Sequence, residues 1–140
     1  EQLPPILAME EPHLRFETEK WFRMHAQAAA GFLMDHLNGP QPVDGILLVN
    51  DGAHAHVATA CRKLGKEPGK DVLIAGYDNF YAAHEGRQWE STVPAATIDK
   101  HDAGIGRAAF DLLQERVSGE LAQAPQRRLV DVELVIPKSS

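Results

Sequence analysis

The sequence is poor in the residue types that build the most recognisable sites. It holds one cysteine in 140 residues, Cys61, so no internal disulfide framework can form. Cations are outnumbered: 14 Lys and Arg stand against 20 Asp and Glu, for a net charge of −6. Phosphate backbones are held by clustered Lys and Arg, so this segment is not expected to touch nucleic acid itself, although a separate basic segment can. No apolar run reaches membrane-spanning length, and the start, EQLPPILAMEEP, lacks the basic-then-apolar pattern of a leader. These absences suit a cytoplasmic protein with no membrane contact. There is no internal repeat and no low-complexity tract.

Motifs for chemistry are also missing. His25, His36, His84 and His101 are scattered, with no HExxH grouping. His54 and His56 are two apart, which puts them on nearly opposite faces of a helix, so they read as surface or interface residues and no metal is expected. The pair Gly104-x-Gly106 does not follow a strand and lacks the third glycine of a dinucleotide fingerprint. Ser91 has no nucleophile elbow, and Glu10-Glu11 reads as solvated loop acid. Nothing assembles a nucleophile, a base and an oxyanion site, so no cofactor and no enzyme activity are expected.

What is present is the balance of a soluble globular domain, 44% hydrophobic and 24% charged, long enough for one core. Pro5 to Met9 reads as a buried strand. Thr18 to Leu37 reads as a helix stopped by Asn38-Gly39-Pro40, with Gly39 suited to a left-handed cap and Trp21, Met24, Ala28, Phe32 and Leu33 as its inner stripe. Val43 to Val49 is the next strand and Gly52 to Leu64 the next helix. That helix is closed by Gly65, and its apolar face carries Val57, Ala60, Cys61 and Leu64. There Cys61 reads as an inert buried thiol. Asp71 to Gly76 is a strand, Tyr77 to Pro94 is irregular, and Ala96 to Ile98 is a short strand. Asp102 to Val117 is a helix with Ile105, Ala108, Ala109, Leu112 and Leu113 on one side, and Leu129 to Ile136 is a closing strand.

Apolar runs alternating with helices imply an α/β fold, a parallel sheet with helices on both faces. Ligands of such sheets sit beyond the carboxyl ends of the strands, where Asn50-Asp51 and Tyr77-Asp78-Asn79 fall. An amide donates and accepts at once and a carboxylate accepts from two hydroxyls, abilities that suit a sugar or a nucleoside. The plainer alternative is that Asn50 or Asp51 caps the helix starting at Gly52, and that Asp78 starts a turn.

These residues resemble the sensor domain of the lactose/galactose repressor (LacI/GalR) family. The strand ending Asn50-Asp51, the helix ending Leu64-Gly65, Pro68 before Asp71-Val72, and the strand ending Gly76-Tyr77-Asp78-Asn79 follow its pattern. Pro94-Ala95-Ala96-Thr97-Ile98, Gly106-Arg107-Ala108-Ala109-Phe110-Asp111-Leu112-Leu113 and Leu134-Val135-Ile136 continue it. Asp99-Lys100-His101 depart from it, standing where the family has Arg-Gln-Pro. The resemblance implies a periplasmic-binding-protein-like type I fold, represented mainly by its carboxy-terminal lobe. Residues 1–98 would form that lobe, 99–120 a crossover helix that packs on an amino-terminal lobe absent from this chain, and 121–140 the closing strand and tail. It implies a transcription regulator's effector-sensing domain that binds a small sugar-like ligand between two lobes. Asn50, Asp78, Arg23 and Lys100 would supply polar contacts, and Trp21 or Phe22 an apolar wall. It further implies a homodimer, with operator DNA bound through a region outside this chain and the Gly52–Leu64 helix as a candidate dimer surface. A periplasmic sugar-binding protein of a transporter is the alternative, and an α/β enzyme using Asp78 as acid or base is the reading from another class.

Overall fold

A computed structural model describes residues 19–122 and 124–138. The strand expected at Pro5–Met9 and the Glu10-Glu11 pair lie outside the described residues. The elements are α1 (Glu19–Asn38), β1 (Gly45–Leu47), a 3-10 turn at Asp51–Ala53 leading into α2 (His54–Lys63), β2 (Leu73–Ala75), a second 3-10 turn at Glu85–Gln88, β3 (Thr97–Asp99), α3 (Asp102–Ser118) and β4 (Glu133–Val135).

β1 and β2 pair in parallel, Gly45 with Leu73 and Leu47 with Ala75. A parallel bridge between Ala75 and Ala96 brings β3 alongside β2, supported by the Gly76 N–H to Ala96 O bond of 2.9 Å. β4 closes the row antiparallel to β3, with Ile98 opposite Leu134. The α/β class and the parallel pairing expected from the sequence are both present.

The core lies between the sheet and the first two helices. Ile46, Leu48, Val72 and Ile74 meet Leu37 of α1 and Val57, Ala58 and Cys61 of α2. Strand side chains alternate between faces, so Leu47 and Val49 emerge on the other side, where they are 81% and 89% exposed. α3 buries no residue at all.

α1 turns a different face inward from the one its large residues suggest. Its buried positions are Phe22, Ala26, Ala30 and Leu37, at helical spacing, while Phe32 and Met34 are exposed. α2 answers with Ala55, Ala58 and Ala60. Small side chains on both helices let the backbones approach closely, and that proximity outweighs the bulk on the neighbouring stripe. The end of α1 also differs from expectation. Gly39 is not left-handed; it is needed because a Cβ there would lie 2.3 Å from the Asp35 carbonyl oxygen. The left-handed glycines among the described residues are Gly65, after α2, Gly69, in the turn before β2, and Gly119, the cap of α3.

Candidate functional site

Parallel pairing places the ends of β1 and β2 on one edge, and the Asp51 N–H donates to Tyr77 O at 2.8 Å just beyond the ladder. The two Asx residues after β1 divide their work, and of the two offered as caps by the sequence it is Asn50 that serves. Asn50, in extended backbone, caps the helix, its Oδ1 accepting from the Gly52 N–H at 2.9 Å. Asp51 caps nothing. It is 1% exposed and faces across the sheet, where its carboxylate accepts from the Phe80 N–H at 2.9 Å, the Tyr81 N–H at 3.3 Å and the Thr97 hydroxyl at 2.9 Å. Thr97 Oγ1 in turn accepts from the Asn79 N–H. A Cβ on Gly76 would fall 1.8 Å from Asp51 Oδ1, so the residue before the loop must be glycine.

Consecutive amides of the loop are thereby tied down: Asp78 N–H to Ile98 O at 2.8 Å, Asn79 to Thr97, and Phe80 and Tyr81 to Asp51. The ties hold Asp78 at φ 92° and Asn79 at φ 51°, in the left-handed region that Asx residues tolerate better than most.

This loop presents the Asp78 carboxylate to Lys100, whose Nζ lies 2.8 Å from Asp78 Oδ1 and 3.5 Å from Asp102 Oδ1. The hydrogen bond to Asp78 pushes the Lys100 pKa above its ordinary value. The backbone on either side of Lys100 is fixed by Asp99, which accepts from Asn79 Nδ2 at 3.0 Å and from the His101 N–H at 2.7 Å, bonds that lower its pKa. The Asp78–Lys100 pair is half-buried. Lys100 also lines a groove of about 390 Å³, shared with Tyr77, with Ile105 and Leu112 of α3 and with Leu129 and Val132, a volume within the range of small-molecule sites.

Of the six residues singled out in the sequence, the structure brings Asp78 and Lys100 into contact and sets Asn50 on the adjoining strand end. The other three sit in the first turn of α1. Arg23 is exposed and paired with Glu19 at 2.6 Å. Trp21 is half-buried, its ring 5.3 Å from His25. Phe22 is 3% exposed, enclosed by His56 and Trp89 at ring distances of 5.0 and 5.1 Å, and so belongs to the core.

His54 and His56 are buried, not on the surface as their spacing suggested. His56 lies in a line of rings running from His25 to His84, at 5.1 and 5.9 Å. The intramolecular burial of both histidines removes them from any role at a dimer surface. His54 Nε2 has no hydrogen-bond partner among the described residues, and burial lowers its pKa against the opposing pull of Asp51 and Glu90. Cys61 is buried as expected, and burial raises its pKa. Among the described residues no three His, Cys, Asp or Glu side chains are placed to share a metal ion. No helix there is long and apolar enough to cross a membrane.

Sequence reasoning missed Asp51 and Thr97 as the residues that fix the loop. The available signal was the adjacency of two Asx residues at a strand end, of which only one can serve as the cap.

The protein-family model of the periplasmic binding protein-like domain matches residues 7–140. Several solved structures share the fold. A dimeric lac repressor with an 11-residue C-terminal deletion is 24% identical, with a TM-score of 0.59 over 79% of this chain and 38% of that one. The transcriptional regulator CelR in complex with cellobiose is 20% identical, with a TM-score of 0.62 over 79% of this chain and 32% of that one. The periplasmic binding protein component of the arabinose ABC transporter from Shewanella sp. ANA-3, bound to arabinofuranose, is 25% identical, with a TM-score of 0.56 over 81% of this chain and 36% of that one. The chain thus spans about a third of the length of the solved proteins it resembles. No curated protein is similar enough in sequence to match.

Proposed function

The chain belongs to the periplasmic binding protein-like domain family, and from that membership we propose that it serves in the effector-sensing domain of a LacI-type transcriptional regulator, binding a small polyhydroxylated ligand. The observation that carries this reading is the Asp78–Lys100 pair. It sets an acceptor beside a donor at the carboxyl edge of parallel strands, on a loop whose amides are already satisfied. Asn50 adds its amide nitrogen, since its oxygen is engaged by Gly52. Trp21 is the aromatic of the first turn of α1 left partly open for an apolar wall, and Arg23, exposed and paired with Glu19, has Nη1 to offer.

In this reading residues 1–98 form one lobe, 99–120 the crossover and 121–140 the closing strand and tail. The apolar side chains that α3 leaves exposed, among them Phe110, Leu113 and Val117, suit packing on a second lobe. A ligand that binds one lobe arrangement more tightly shifts the population toward it, and equal binding to both transmits nothing. The regulator would work in the cytoplasm as a homodimer, with operator DNA read through a region outside this chain. The protein is a binding module and not an enzyme.

The second reading, a periplasmic sugar-binding component of a transporter, is favoured by the likeness to the arabinose-binding protein. Isothermal titration with arabinose, galactose, glucose and cellobiose tests the site common to both readings. At least one sugar is expected to bind, and Asp78→Ala is expected to weaken it by about a hundredfold. Failure of every sugar, or unchanged affinity in the variant, overturns the proposal. Sugar-dependent retention of operator DNA by the full protein separates the regulator from the transporter component.

A further inference from the structure

We propose that Lys100 sets the ligand class of this site: clamped between two carboxylates, its ammonium serves with Asp78 to read two adjacent hydroxyls of an uncharged polyol and does not anchor an anion. The inference rests on the reading of the strand-end edge as the ligand site and narrows it.

A lone lysine at a sugar site suggests the opposite, an anchor for a phosphate or a sugar acid. Its surroundings argue against that role. Nζ already has Asp78 Oδ1 at 2.8 Å and Asp102 Oδ1 at 3.5 Å. Two carboxylates flank one ammonium, so an incoming anion meets surplus negative charge and must compete with Asp78 for the same protons.

Hydrogen-bond capacity points the same way. An ammonium has three donors, and each carboxylate oxygen has room for more than one proton. After their mutual bond, Lys100 still has a donor to offer and Asp78 an acceptor, only a few ångströms apart. Neighbouring hydroxyls of a polyol match that pattern, one accepting from Lys100 and the next donating to Asp78. The pair is preset: Asp99 is pinned by Asn79 and by the His101 N–H, His101 is left-handed at φ 56°, and the Asp78 backbone is held by Ile98. Little backbone freedom is left to lose when a ligand arrives.

The test is a calorimetric panel on the full protein using matched sets: glucose, glucuronate and glucose 6-phosphate, the same three for galactose, and arabinose with arabinose 5-phosphate. The neutral member of the set that binds is expected to be at least about tenfold tighter than its anionic partners, the scale of a single unfavourable charge contact at a half-exposed site. Lys100→Gln, which keeps a donor, is expected to hold the neutral sugar within a few-fold, whereas Lys100→Met loses it by about tenfold or more. Asp102→Asn is expected to narrow the discrimination against anions. An anionic member that binds as tightly as its neutral partner, or Lys100→Met binding that sugar as well as Lys100→Gln does, overturns this inference while leaving the sugar site standing. Failure of every member to bind removes the site itself and the inference with it.

Discussion

The stretch from α1 to β2 and the stretch from β3 to β4 are built with similar proportions of apolar residues and end in opposite states. In the first, Leu37, Val57, Cys61, Val72 and Ile74 close around one another. In the second, α3 buries no residue, and Leu134 and Ile136 at the closing strand are exposed. Apolar content therefore does not make a core; a facing layer does. The site lies at the seam. Asp51 reaches from the packed half to Thr97 of β3, and Asp78 reaches to Lys100. In the proposed reading, a ligand bound there would hold together two regions of unequal packing, the arrangement that lets binding bias a movement.

Removing packing separates the halves most strongly. Ile74→Ala is expected to lower stability by about 2–5 kcal/mol, whereas Leu113→Ala in α3 should stay within about 0.5 kcal/mol, both read by urea unfolding. Equal losses in this 140-residue chain would mean that α3 packs against a facing layer after all.

The seam comes next. Asp51→Ala orphans the Phe80 and Tyr81 amides and the Thr97 hydroxyl, at an expected cost of about 2–4 kcal/mol. The loosened loop should appear as faster amide exchange at residues 78–81 than in β1.

A smaller effect follows from pH. Burial lowers the folded-state pKa of His54 below its ordinary 6.5, so the unfolded chain takes up the proton first as pH falls. Stability is retained above that value and lost below it, by no more than about 1.4 kcal/mol per pH unit. Thermal melts between pH 7.5 and 5.5 should show this fall, and His54→Leu should flatten it. A fall confined to below pH 4.5 would instead point to Glu90, whose pKa is lowered by Thr92 and Arg62 despite its burial.

The smallest expected change is Arg23→Ala. The exposed pair with Glu19 contributes about 0.5 kcal/mol or less, so its loss should be barely visible in the same melts.

The element order was legible because period and punctuation are local. The run Ile46–Val49 and the helix closed by Leu64-Gly65 need only their own residues to be recognised. The strand-end rule placed Asn50 and Asp78 on one edge for the same reason. What stayed hidden depends on partners far along the chain. The inner face of α1 is decided by the alanines of α2, not by the size of Phe32. The division between Asn50 as cap and Asp51 as buried anchor is decided by Thr97, 46 residues onward. His54 and His56 read as surface groups because their spacing says nothing of the Phe22 and Trp89 rings that enclose that corner. In the sequence Lys100 is legible only as a departure from the family pattern, because Asp78 and Asp102, which give it its setting, are brought beside it by the fold.

The most direct measurement of the central claim is an amide NMR titration with whichever sugar binds most tightly. The largest shifts are expected at Asn50, at residues 78–81 and around Lys100, with the α1–α2 core silent. Saturable shifts confined to α1 and α2, with the strand-end residues unmoved, would contradict it.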